Sequence, residues 1–404
     1  MGAPKRKIIN DPVYGFITIN HPLIFSILAH PYYQRLRRIT QMAMGQLVYP
    51  GAVHTRFHHS LGAYHLMGNA VNELRSKGTE ITEEEEIAVK AAILLHDIGH
   101  GPYSHALEHV VVKGVHHETL SLQIMHEMNA AFDGQLTLAI QIFTGAYHKP
   151  FLHQLISGQL DVDRMDYLSR DSFFCGVSEG VIGYDRILKM LVVVDGQLMI
   201  EEKGIYSVEK FLVARRQMYW QVYLHKTVLS AEKMLVKILE RARSLYTSND
   251  AAMQTGSALD YFLGTFNGTM DAHALAQFCA LDDHDIMHAI KRWSTHPDKV
   301  LSLLCSRFLS RQLYKTTIQS EPFLAATIAA KQKESVDAFE LDPSEVDYVC
   351  FTGEATNTLY QTKDERINIL FKDGSIKDIS LIDNALIHQN LSAAVKKNYI
   401  CQLL

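Results

Sequence analysis

The stretch LLHDIGHGPYSHALEH, residues 94–109, constrains the chain most, because it places histidines and an aspartate in a segment that starts as a helix and ends as a turn. An apolar run with helical spacing leads into it from Thr82 and Glu85, which have the spacing of a capping box. The glycines and the proline of GHGP disfavour a continued helix, so we expect the helix to end just past His96 and Asp97. Two side chains that can bind a metal are therefore predicted at a helix end.

Histidine is concentrated early in the chain, where residues 1–126 hold thirteen of the 21. The roles of histidine centre on metal binding and proton transfer, so this density predicts a functional site. Neighbouring side chains on a helix point about 100° apart. His96 and Asp97 can therefore share a cation only at a helix end, with other helices supplying more ligands. His58 and His59 in TRFHHSLG are candidates for that role.

The segment QLDVDRMDYLSRD offers three more candidate ligands, Asp161, Asp163 and Asp166. Residues two apart on a helix diverge, so we expect one of Asp161 and Asp163 to bind the ion and the other not. Asp166 and the non-binding aspartate are predicted to support the site through salt bridges or hydrogen bonds. The remaining early histidines are predicted to be structural or to lie at the surface: His54, His58, His65, His109, His116 and His126.

Most of the remaining sequence has helical periodicity, and 404 residues, 47% of them hydrophobic, are enough for a large core. Residues 205–248 contain neither glycine nor proline and predict one long helix or two joined ones. Asp-Gly pairs in LVVVDGQLMI and INILFKDGSIKDISLI predict two β-hairpins, whereas KQKESVDAFELDPSEVD has the polar composition of a linker. We therefore expect a mainly α protein, with a helical core over residues 1–330 and a small α+β region over residues 331–404.

Composition argues against several classes of protein. A formal charge of −5 gives no general basic field for nucleic acid, and no run of about eighteen uncharged apolar residues is present for a membrane span. The start, MGAPKRKIINDPVYG, lacks the apolar segment of a secretory signal. The five cysteines are scattered and form no CxxC pair, as expected of reduced thiols. We therefore expect a cytoplasmic protein with no membrane partner, for which nucleic acid is a possible but not an expected partner.

The strongest indication comes from motifs in a fixed order. Between about residues 7 and 226 the chain carries, in turn, NDPVYGFITINHPL, QRLRRITQ, VYPGAVHTRFHHSLG, HDIGHGPYSH, HHE and DVDRMDYLSRD. His59, the His96-Asp97 pair and a later aspartate repeat the H…HD…D pattern of the HD-domain metal-dependent phosphohydrolases. The chain resembles in particular the deoxynucleoside-triphosphate triphosphohydrolases related to the SAM-and-HD-domain enzyme, in the short bacterial form without a SAM domain. The resemblance covers rather more than half of the chain.

This resemblance implies a metal centre and an assembly. His59, His96, Asp97 and Asp163 correspond to the metal ligands of the family. Two histidines and two carboxylates suit iron, manganese or zinc, and Mg²⁺ is expected on the substrate phosphates. The resemblance also implies a homodimer or a higher homo-oligomer.

The resemblance further implies a reaction, in which an activated water attacks the α-phosphorus of a dNTP and releases deoxynucleoside and triphosphate. The 5′-oxygen needs a proton as its bond to phosphorus breaks, and His105 corresponds to the proposed proton donor of the family. Glu118 corresponds to the carboxylate beside that histidine, and His117 to its histidine neighbour. A glutamate bonded to His105 would hold the ring in place.

Substrate-binding positions are implied by the same resemblance. Those that face the phosphates are Arg56, His100, Arg164 and Arg215. Those that face or wall the sugar are Gln41, Met42, Tyr167, Asp171 and Tyr223. Arg164 replaces the lysine usual in the family, which exchanges a point charge for a planar fork. Met42 replaces a leucine of similar volume.

One departure from the family pattern concerns regulation. Regulated relatives read guanine with an aspartate at a site between subunits, and Ala29 stands at that position in this chain. An alanine side chain accepts no hydrogen bond from guanine, so activation by GTP is predicted to be weak or absent. The other positions of that site still match the family: Lys7, Gln34, Arg37, His225 and Lys226.

Two alternatives to a dNTP triphosphohydrolase stay open. An HD phosphohydrolase could act on another phosphate ester, such as a nucleoside monophosphate, a guanosine tetraphosphate-like alarmone or a nucleic-acid end. The chain could also be a nucleotide- or nucleic-acid-binding protein whose HD core is inactive. The sugar-facing Gln41, Asp171 and Tyr223 favour a deoxynucleotide over other esters. The full ligand set together with His105 favours an enzyme over a binding protein.

Overall fold

The computed structural model describes residues 6–112, 114–247, 250–357, 366–382 and 395–404. Most of these residues lie in helices, so the prediction of a mainly α fold is confirmed. The helices are α1 (Pro22–Ala29), α2 (Pro31–Gln34), α3 (Arg56–Ser76), α4 (Glu83–Leu95), α5 (Glu108–Val111), α6 (His117–Ala131), α7 (Thr137–Phe143), α8 (Pro150–Gln154), α9 (Val162–Cys175), α10 (Tyr184–Met190), α11 (Ile205–Gln217), α12 (Lys226–Leu245), α13 (Leu259–Gly264), α14 (Ala272–Ala280), α15 (Asp283–Trp293), α16 (Lys299–Leu309), α17 (Ala325–Phe339) and α18 (Val346–Val349). The strands are β1 (Lys7–Asp11), β2 (Gly15–Ile19), β3 (Leu191–Val194), β4 (Gln197–Glu201), β5 (Lys315–Gln319), β6 (Cys350–Asn357), β7 (Asn368–Leu370), β8 (Ile376–Asp378) and β9 (Val395–Gln402).

Helix α4 confirms the predicted helix before the His-Asp pair. Its N-terminus is a capping box, in which the Thr82 hydroxyl accepts from the Glu85 amide at 3.1 Å and the Glu85 carboxylate accepts from the Thr82 amide at 2.8 Å. The helix ends at Leu95, and His96 is the residue that follows it. Two apolar neighbours, α3 and α7, pack against α4 and bury it in the core.

The glycine-free segment from residue 205 forms two joined helices, one of the two arrangements that the sequence predicts. A π-helical turn at Met218–Tyr223 follows α11 directly. His225 then starts α12, because its Nδ1 accepts a hydrogen bond from the amide of Thr227 at 3.2 Å. The π-turn and the start of α12 both border the site described below.

Three small sheets complete the fold. Strands β1 and β2 form a hairpin, β3-β4-β7-β8 form a mixed sheet in which β4 and β7 are parallel, and β5-β9-β6 form an antiparallel sheet. Both predicted Asp-Gly hairpins are confirmed: Asp195 and Gly196 turn between β3 and β4 with φ values of 50° and 76°, and Gly374 turns before β8 with φ 83°. The larger two sheets combine strands from before and after residue 330, while the predicted division into two regions there stays a prediction.

The interpretation of KQKESVDAFELDPSEVD as a linker is wrong, since its first half lies in α17. The polar side chains of this helix bond to the end of the chain. Ser335 is buried and donates its hydroxyl to the Leu403 carbonyl at 2.9 Å, and Lys331 donates to the Gln402 side chain at 2.8 Å. A polar composition therefore accompanies a docked helix here, because these hydrogen bonds add to the apolar contacts of Val336 and Phe339 with the core.

Composition predicts reduced cysteines and no membrane span. All five cysteines are free thiols. Within the described ranges, every helix is too short or too polar to cross a bilayer.

Candidate metal centre and active site

Three packed helices bring the predicted metal ligands together. His59 is the fourth residue of α3, and Asp163 lies in the first turn of α9. His96 and Asp97 follow the last turn of α4. Because α3 contacts both α4 and α9, its N-terminal turn lies between the other two elements. Residues that are 37 and 104 positions apart in sequence thus meet at one point.

The ligand atoms of these four residues converge. His59 Nε2 lies 3.0 Å from Asp163 Oδ1 and 3.4 Å from His96 Nε2. His96 Nε2 lies 3.4 Å from one oxygen each of Asp97 and Asp163, and the other Asp97 oxygen lies 3.6 Å from His59 Nε2. Four donors about 2.1 Å from an ion in a tetrahedral site are about 3.4 Å apart. The separations therefore fit one cation held by two nitrogens and two carboxylates.

Hydrogen bonds behind the two histidines fix their orientation. His59 donates from Nδ1 to Asp166 Oδ2 at 2.8 Å, and His96 donates from Nδ1 to the Ile93 carbonyl at 2.7 Å. Nδ1 of each ring is thereby occupied as a donor, so Nε2 is the nitrogen that faces the cluster and would bind a metal. Asp166 supports the site in the manner that the sequence predicts for it.

Asp166 is itself held by a buried ion network. The Arg170 guanidinium donates to both of its oxygens at 3.0 Å and to Asp11 at 2.8 Å. Gly62 of α3 makes room for this network, because a Cβ atom at that position would lie 1.9 Å from Asp166 Oδ1. The close approach of α3 and α9 therefore depends on a glycine.

Two candidate ligands turn away from the cluster and cap helices instead. Asp161 Oδ1 accepts a hydrogen bond from the amide of Arg164 at 2.7 Å and caps α9. His58 Nδ1 accepts from the amide of Thr55 at 3.1 Å and completes a capping box at α3. Of the two aspartates that the sequence left as alternatives, the structure turns Asp163 toward the histidines.

The electrostatics of the cluster favour a positive charge. Burial opposes protonation of His59, but its bonds to Asp163 and Asp166 prevail and raise its pKa to about 10. Burial also acts against ionisation of Asp163, but the bonds that it accepts from His59 and His96 hold its pKa well below the usual range. The carboxylates therefore stay ionised, and the centre attracts a cation.

The cluster opens into a cavity of about 590 Å³. Twelve of the residues predicted for the site line it, and they are Gln41, Met42, Arg56, Asp97, His100, His105, His117, Asp163, Tyr167, Asp171, Arg215 and Tyr223. His59 and His96 lie behind Asp97 and Asp163, and are less than a tenth exposed. Glu118 and Arg164 are the other two predicted residues that the lining does not contain.

One part of the wall carries the residues predicted to face the sugar. Asp171 accepts a hydrogen bond from the Tyr223 hydroxyl at 2.7 Å and is 2.7 Å from His54 Nε2. His54 is buried and stacks on Phe174, with ring centroids 4.4 Å apart. The side-chain oxygen of Gln41 is buried and has no partner among the described residues, so it is free to accept a hydrogen bond from a ligand. His54 is a supporting residue that sequence reasoning missed, since nothing local marks its pairing with a residue 117 positions away.

Two arginines place positive charge on the cavity wall. Arg56 donates to Ser104 Oγ at 2.7 Å and forms a salt bridge with Asp97. Arg215 Nη1 lies 3.3 Å from the side-chain oxygen of Gln159. Arg56 and Arg215 thus lie where anionic groups entering the cavity would meet them.

Arg164 differs from these two. It donates from Nε to the Gly158 carbonyl at 2.6 Å and to Asp161 at 3.2 Å, and so turns toward the N-terminus of its own helix. The expectation that Arg164 faces the phosphates is not met in this structure, because the carboxylate that caps α9 pairs with its guanidinium.

A second group of histidines, which we call the histidine trio, consists of His100, His105 and His117. Its ring nitrogens lie within 4.8 Å of one another. His100 stacks on His117 with centroids 4.0 Å apart and planes inclined by 18°, and His105 stands nearly perpendicular to both. The lone pairs of an imidazole lie in its plane, so two stacked rings cannot both point at one ion. The trio is therefore better arranged for proton transfer than for metal binding.

The carboxylate that is hydrogen-bonded to two rings of the trio is Glu108. The prediction of Glu118 for this role is wrong. Glu108 Oε2 lies 3.0 Å from His105 Nδ1, and its Oε1 lies 2.6 Å from His117 Nδ1. Glu118 is exposed on α6, since adjacent helical side chains diverge and His117 is the one that faces the cavity. The spacing of Glu108 three residues after His105 is a signal that could have identified it.

The positions matched to the family's allosteric site fall in two places within one chain. Lys7, Ala29, Gln34 and Arg37 line a cavity of about 680 Å³ near β1 and α1. The other two lie apart from it, in a cavity of about 720 Å³ beside β5 and β9, and they are His225 and Lys226. A single chain therefore does not assemble all of these positions.

The chain is similar in sequence to known proteins over the region that contains the site. Residues 56–171, which contain all four convergent ligands, match the HD domain family, and residues 182–260 match the HD associated region. The uncharacterized protein YwfO of Bacillus subtilis is 32% identical over 391 residues, which cover 93% of this chain and 87% of YwfO. The deoxynucleoside triphosphate triphosphohydrolase SAMHD1 of Homo sapiens is 26% identical, with 98% of this chain and 68% of that protein covered.

A solved structure extends the similarity to three dimensions. The crystal structure of a phosphohydrolase from Bacteroides thetaiotaomicron superimposes with a TM-score of 0.92 at 48% identity, and the match covers 98% of this chain and 100% of that one. The helical fold and the two-histidine, two-aspartate cluster define a metal-dependent phosphohydrolase. The chain belongs to the HD-domain phosphohydrolase family.

Proposed function

We propose that the protein is a metal-dependent dNTP triphosphohydrolase, which hydrolyses a dNTP to deoxynucleoside and triphosphate by water attack on the α-phosphorus. One observation carries the proposal. A single cavity is bordered by the convergent metal ligands, by two arginines and by a hydrogen-bonded sugar-facing wall. The activity for which SAMHD1 of Homo sapiens is named supports the same substrate class, and that protein is 26% identical over 452 residues.

The metal ligands provide for the first part of the reaction. His59, His96, Asp97 and Asp163 would hold an iron, manganese or zinc ion. When bound, such an ion lowers the pKa of water and polarises a phosphoryl oxygen. Asp166 keeps His59 in the ligating tautomer, because it accepts the proton on Nδ1.

Positive groups of the chain bind the triphosphate tail. Arg56 and Arg215 offset the charge of about four that a triphosphate carries, and we further propose that Mg²⁺ accompanies the phosphates. Burial and the charge of Arg56 hold the pKa of His100 well below its usual range, so the ring is neutral and acts as a hydrogen-bonding group.

His105 supplies the proton that the leaving 5′-oxygen requires. Its Nδ1 is bonded to Glu108, so its Nε2 is the nitrogen left to face a ligand. The side chain lines the cavity and is 68% exposed, so solvent can restore the proton after each turnover.

The sugar-facing wall selects the 2′-deoxy sugar. Gln41 and the Asp171–Tyr223 pair offer groups to bind the 3′-hydroxyl. Tyr167 and Tyr223 both line the cavity, with ring centroids 6.5 Å apart and planes inclined by 66°. In this proposal the two rings exclude a 2′-hydroxyl sterically. Ribonucleotides are therefore expected to be poor substrates.

The test is a matrix of nucleotides against metals. Purified protein would be incubated with each dNTP and NTP plus manganese, iron, zinc or magnesium, with and without added GTP, and the products would be separated by anion exchange. We expect triphosphate and deoxynucleoside from dNTPs, with little effect of GTP because of Ala29. Release of orthophosphate or pyrophosphate would assign another phosphate ester, and steep salt-dependent binding to single-stranded DNA with no turnover would assign an inactive binding protein. We also propose that the protein acts in the cytoplasm as a homo-oligomer, which light scattering on the same sample would examine.

A further inference from the structure

One acidic side chain of the cavity has no role in the proposed reaction. Among the described residues, the lining contains four acids, namely Asp97, Asp163, Asp171 and Glu232. Asp97 and Asp163 belong to the metal centre, and Asp171 is bonded at both oxygens. Glu232 makes no hydrogen bond or ion pair with any described residue. Its presence in a cavity for a polyanion therefore needs an explanation.

Glu232 lies on the part of the cavity wall that α12 forms. Val228, Glu232 and Val236 are spaced four residues apart, lie on one face of α12 and all line the cavity. The valines on either side are apolar and fit the flat face of a ring. Glu232 is thus the acidic group in an otherwise apolar stripe.

Charge separates this stripe from the phosphate-binding part of the cavity. Burial raises the pKa of Glu232 to about 7, and the neighbouring charge that lowers it is Lys233. Neither arginine of the cavity wall forms an ion pair with it among the described residues, since Arg56 pairs with Asp97 and Arg215 contacts Gln159. The Lys233 ammonium itself turns toward Tyr399, 5.9 Å from the ring centroid. Glu232 is therefore a desolvated carboxyl group that pairs with none of the cavity's cations and has no hydrogen-bond partner among the described residues.

A carboxylate would repel the triphosphate, so it is tolerated only where another part of the nucleotide binds. The part that carries N–H donors and a flat apolar ring is the base. We propose that Glu232 reads the base of the bound nucleotide and makes guanine the preferred one, a proposal that rests on the proposed function of the same cavity.

The choice of guanine follows from the pattern of donors on each base. Guanine presents two adjacent donors, the ring N1–H and the 2-amino group, which match the two oxygens of one carboxylate. Adenine and cytosine place a ring-nitrogen acceptor beside their amino group, and thymine places its N–H between two carbonyl oxygens. These acceptors would face the ionised carboxylate at close range, whereas the two N–H donors of guanine stabilise its charged form. Guanine alone therefore pairs with ionised Glu232 at both oxygens.

The experiment compares dGTP with dITP, which lacks only the 2-amino group. In the wild-type protein we expect kcat/KM for dITP to be roughly ten- to a hundredfold below that for dGTP, the usual effect of losing one hydrogen bond to a charged group. In Glu232→Gln the two values should become equal within about twofold, because the amide offers one acceptor only. Glu240→Gln, which removes an exposed charge from the same helix, is the matched control and should keep the wild-type ratio.

Three outcomes would overturn the inference. They are equal turnover of dGTP and dITP by the wild-type protein, an unchanged ratio in Glu232→Gln, or a preference for another base that survives the substitution. If Glu232→Gln does not fold, Glu232→Asp keeps the charge, withdraws it by one methylene and should also reduce the ratio.

Failure of the proposed function gives a different result. If the wild-type protein releases product from no nucleotide, equilibrium titration with dGTP and dITP takes the place of turnover. Tighter binding of dGTP that is lost in Glu232→Gln would then support the base-reading site while rejecting the reaction. Equal binding of both nucleotides would reject the base-reading site as well.

Discussion

The metal centre and the histidine trio lie side by side and are both built from histidine rings. They differ in the groups that accept a hydrogen bond from Nδ1 of those rings. At the metal centre, His59 and His96 are each backed at Nδ1 by a separate acceptor, and both Nε2 atoms point at the same place. In the trio, His105 and His117 share one carboxylate, Glu108. Convergent rings with carboxylates between them can hold an ion, whereas rings that share one acceptor can pass a proton.

The distinction depends on orientation more than on composition. Both clusters place three or more ring nitrogens or oxygens within 4.8 Å, a distance that alone would admit a metal at either. The stacking of His100 on His117 argues against a metal at the trio, because the in-plane lone pairs of the two rings are close to parallel. A hydrogen bond behind an imidazole and the tilt of its plane therefore decide its role.

The largest effect is expected at the metal centre. His96→Ala removes one of two nitrogen ligands, so bound metal should fall close to zero and turnover should drop on the order of a thousandfold. Elemental analysis of the purified variant and product release by anion exchange would measure both. A variant that keeps its metal would show that His96 is not a ligand.

The next largest effect is expected in the trio. His105→Ala should lower turnover by roughly a hundred- to ten-thousandfold, the usual contribution of a proton donor, while metal content stays at the wild-type value. The same two measurements apply. Loss of metal together with activity would mean that the ring is a ligand, and the contrast between the two clusters would then disappear.

Asp166→Asn should have a smaller effect that is confined to the metal centre. The amide no longer accepts the His59 proton as strongly, so metal affinity should fall roughly ten- to a hundredfold. Asp161→Asn is the matched control, because asparagine still caps α9 and the metal affinity should stay unchanged. Competition with a fluorescent chelator would give both affinities, and equal losses in the two variants would contradict a specific role for Asp166.

Glu108→Gln and Glu118→Gln form a matched pair within the trio. The first should lower turnover roughly ten- to a hundredfold with metal retained, since it loosens His105 and His117. The second alters an exposed side chain and should stay within about twofold of wild type. The reverse order in steady-state kinetics would restore Glu118 to the role that the family resemblance implies.

The smallest effect concerns stability and pH. Burial acts to raise the pKa of Glu108, but the bonds from His105 and His117 prevail and hold it well below its ordinary value of 4.5. A depressed carboxyl pKa stabilises the fold above pH 4.5 and loses that contribution as the pH falls further. Glu108→Gln should therefore lower the free energy of unfolding by about 2 kcal/mol at pH 7 and by less below pH 4. Urea unfolding at both values checks this, and a constant difference would contradict it.

Much of the fold could be predicted from sequence because its signals are local. The capping box at Thr82 and the breakers after Asp97 bound α4, and Asp-Gly pairs mark two hairpins. The polar helix α17 could not be recognised, since its stabilising partners are at the far end of the chain. Long-range docking of this kind leaves no periodic trace in the segment itself.

The site residues likewise include some that local sequence signals predict and some that they do not. The motifs identify most of the cavity lining, but the orientation of side chains after a turn does not follow from them. Glu108 replaces Glu118 because the short α5 turns it toward the trio. His54 supports Asp171 across a sequence separation of 117 residues, and Glu232 reaches the cavity only through the path of α12.

The most direct test of the contrast between the two clusters is anomalous X-ray diffraction from crystals grown with Mn²⁺. The structure predicts a single strong peak at the point where His59, His96, Asp97 and Asp163 converge, about 2.0–2.3 Å from each ligand atom. A peak between His100, His105 and His117, or none at the four-residue cluster, would contradict it.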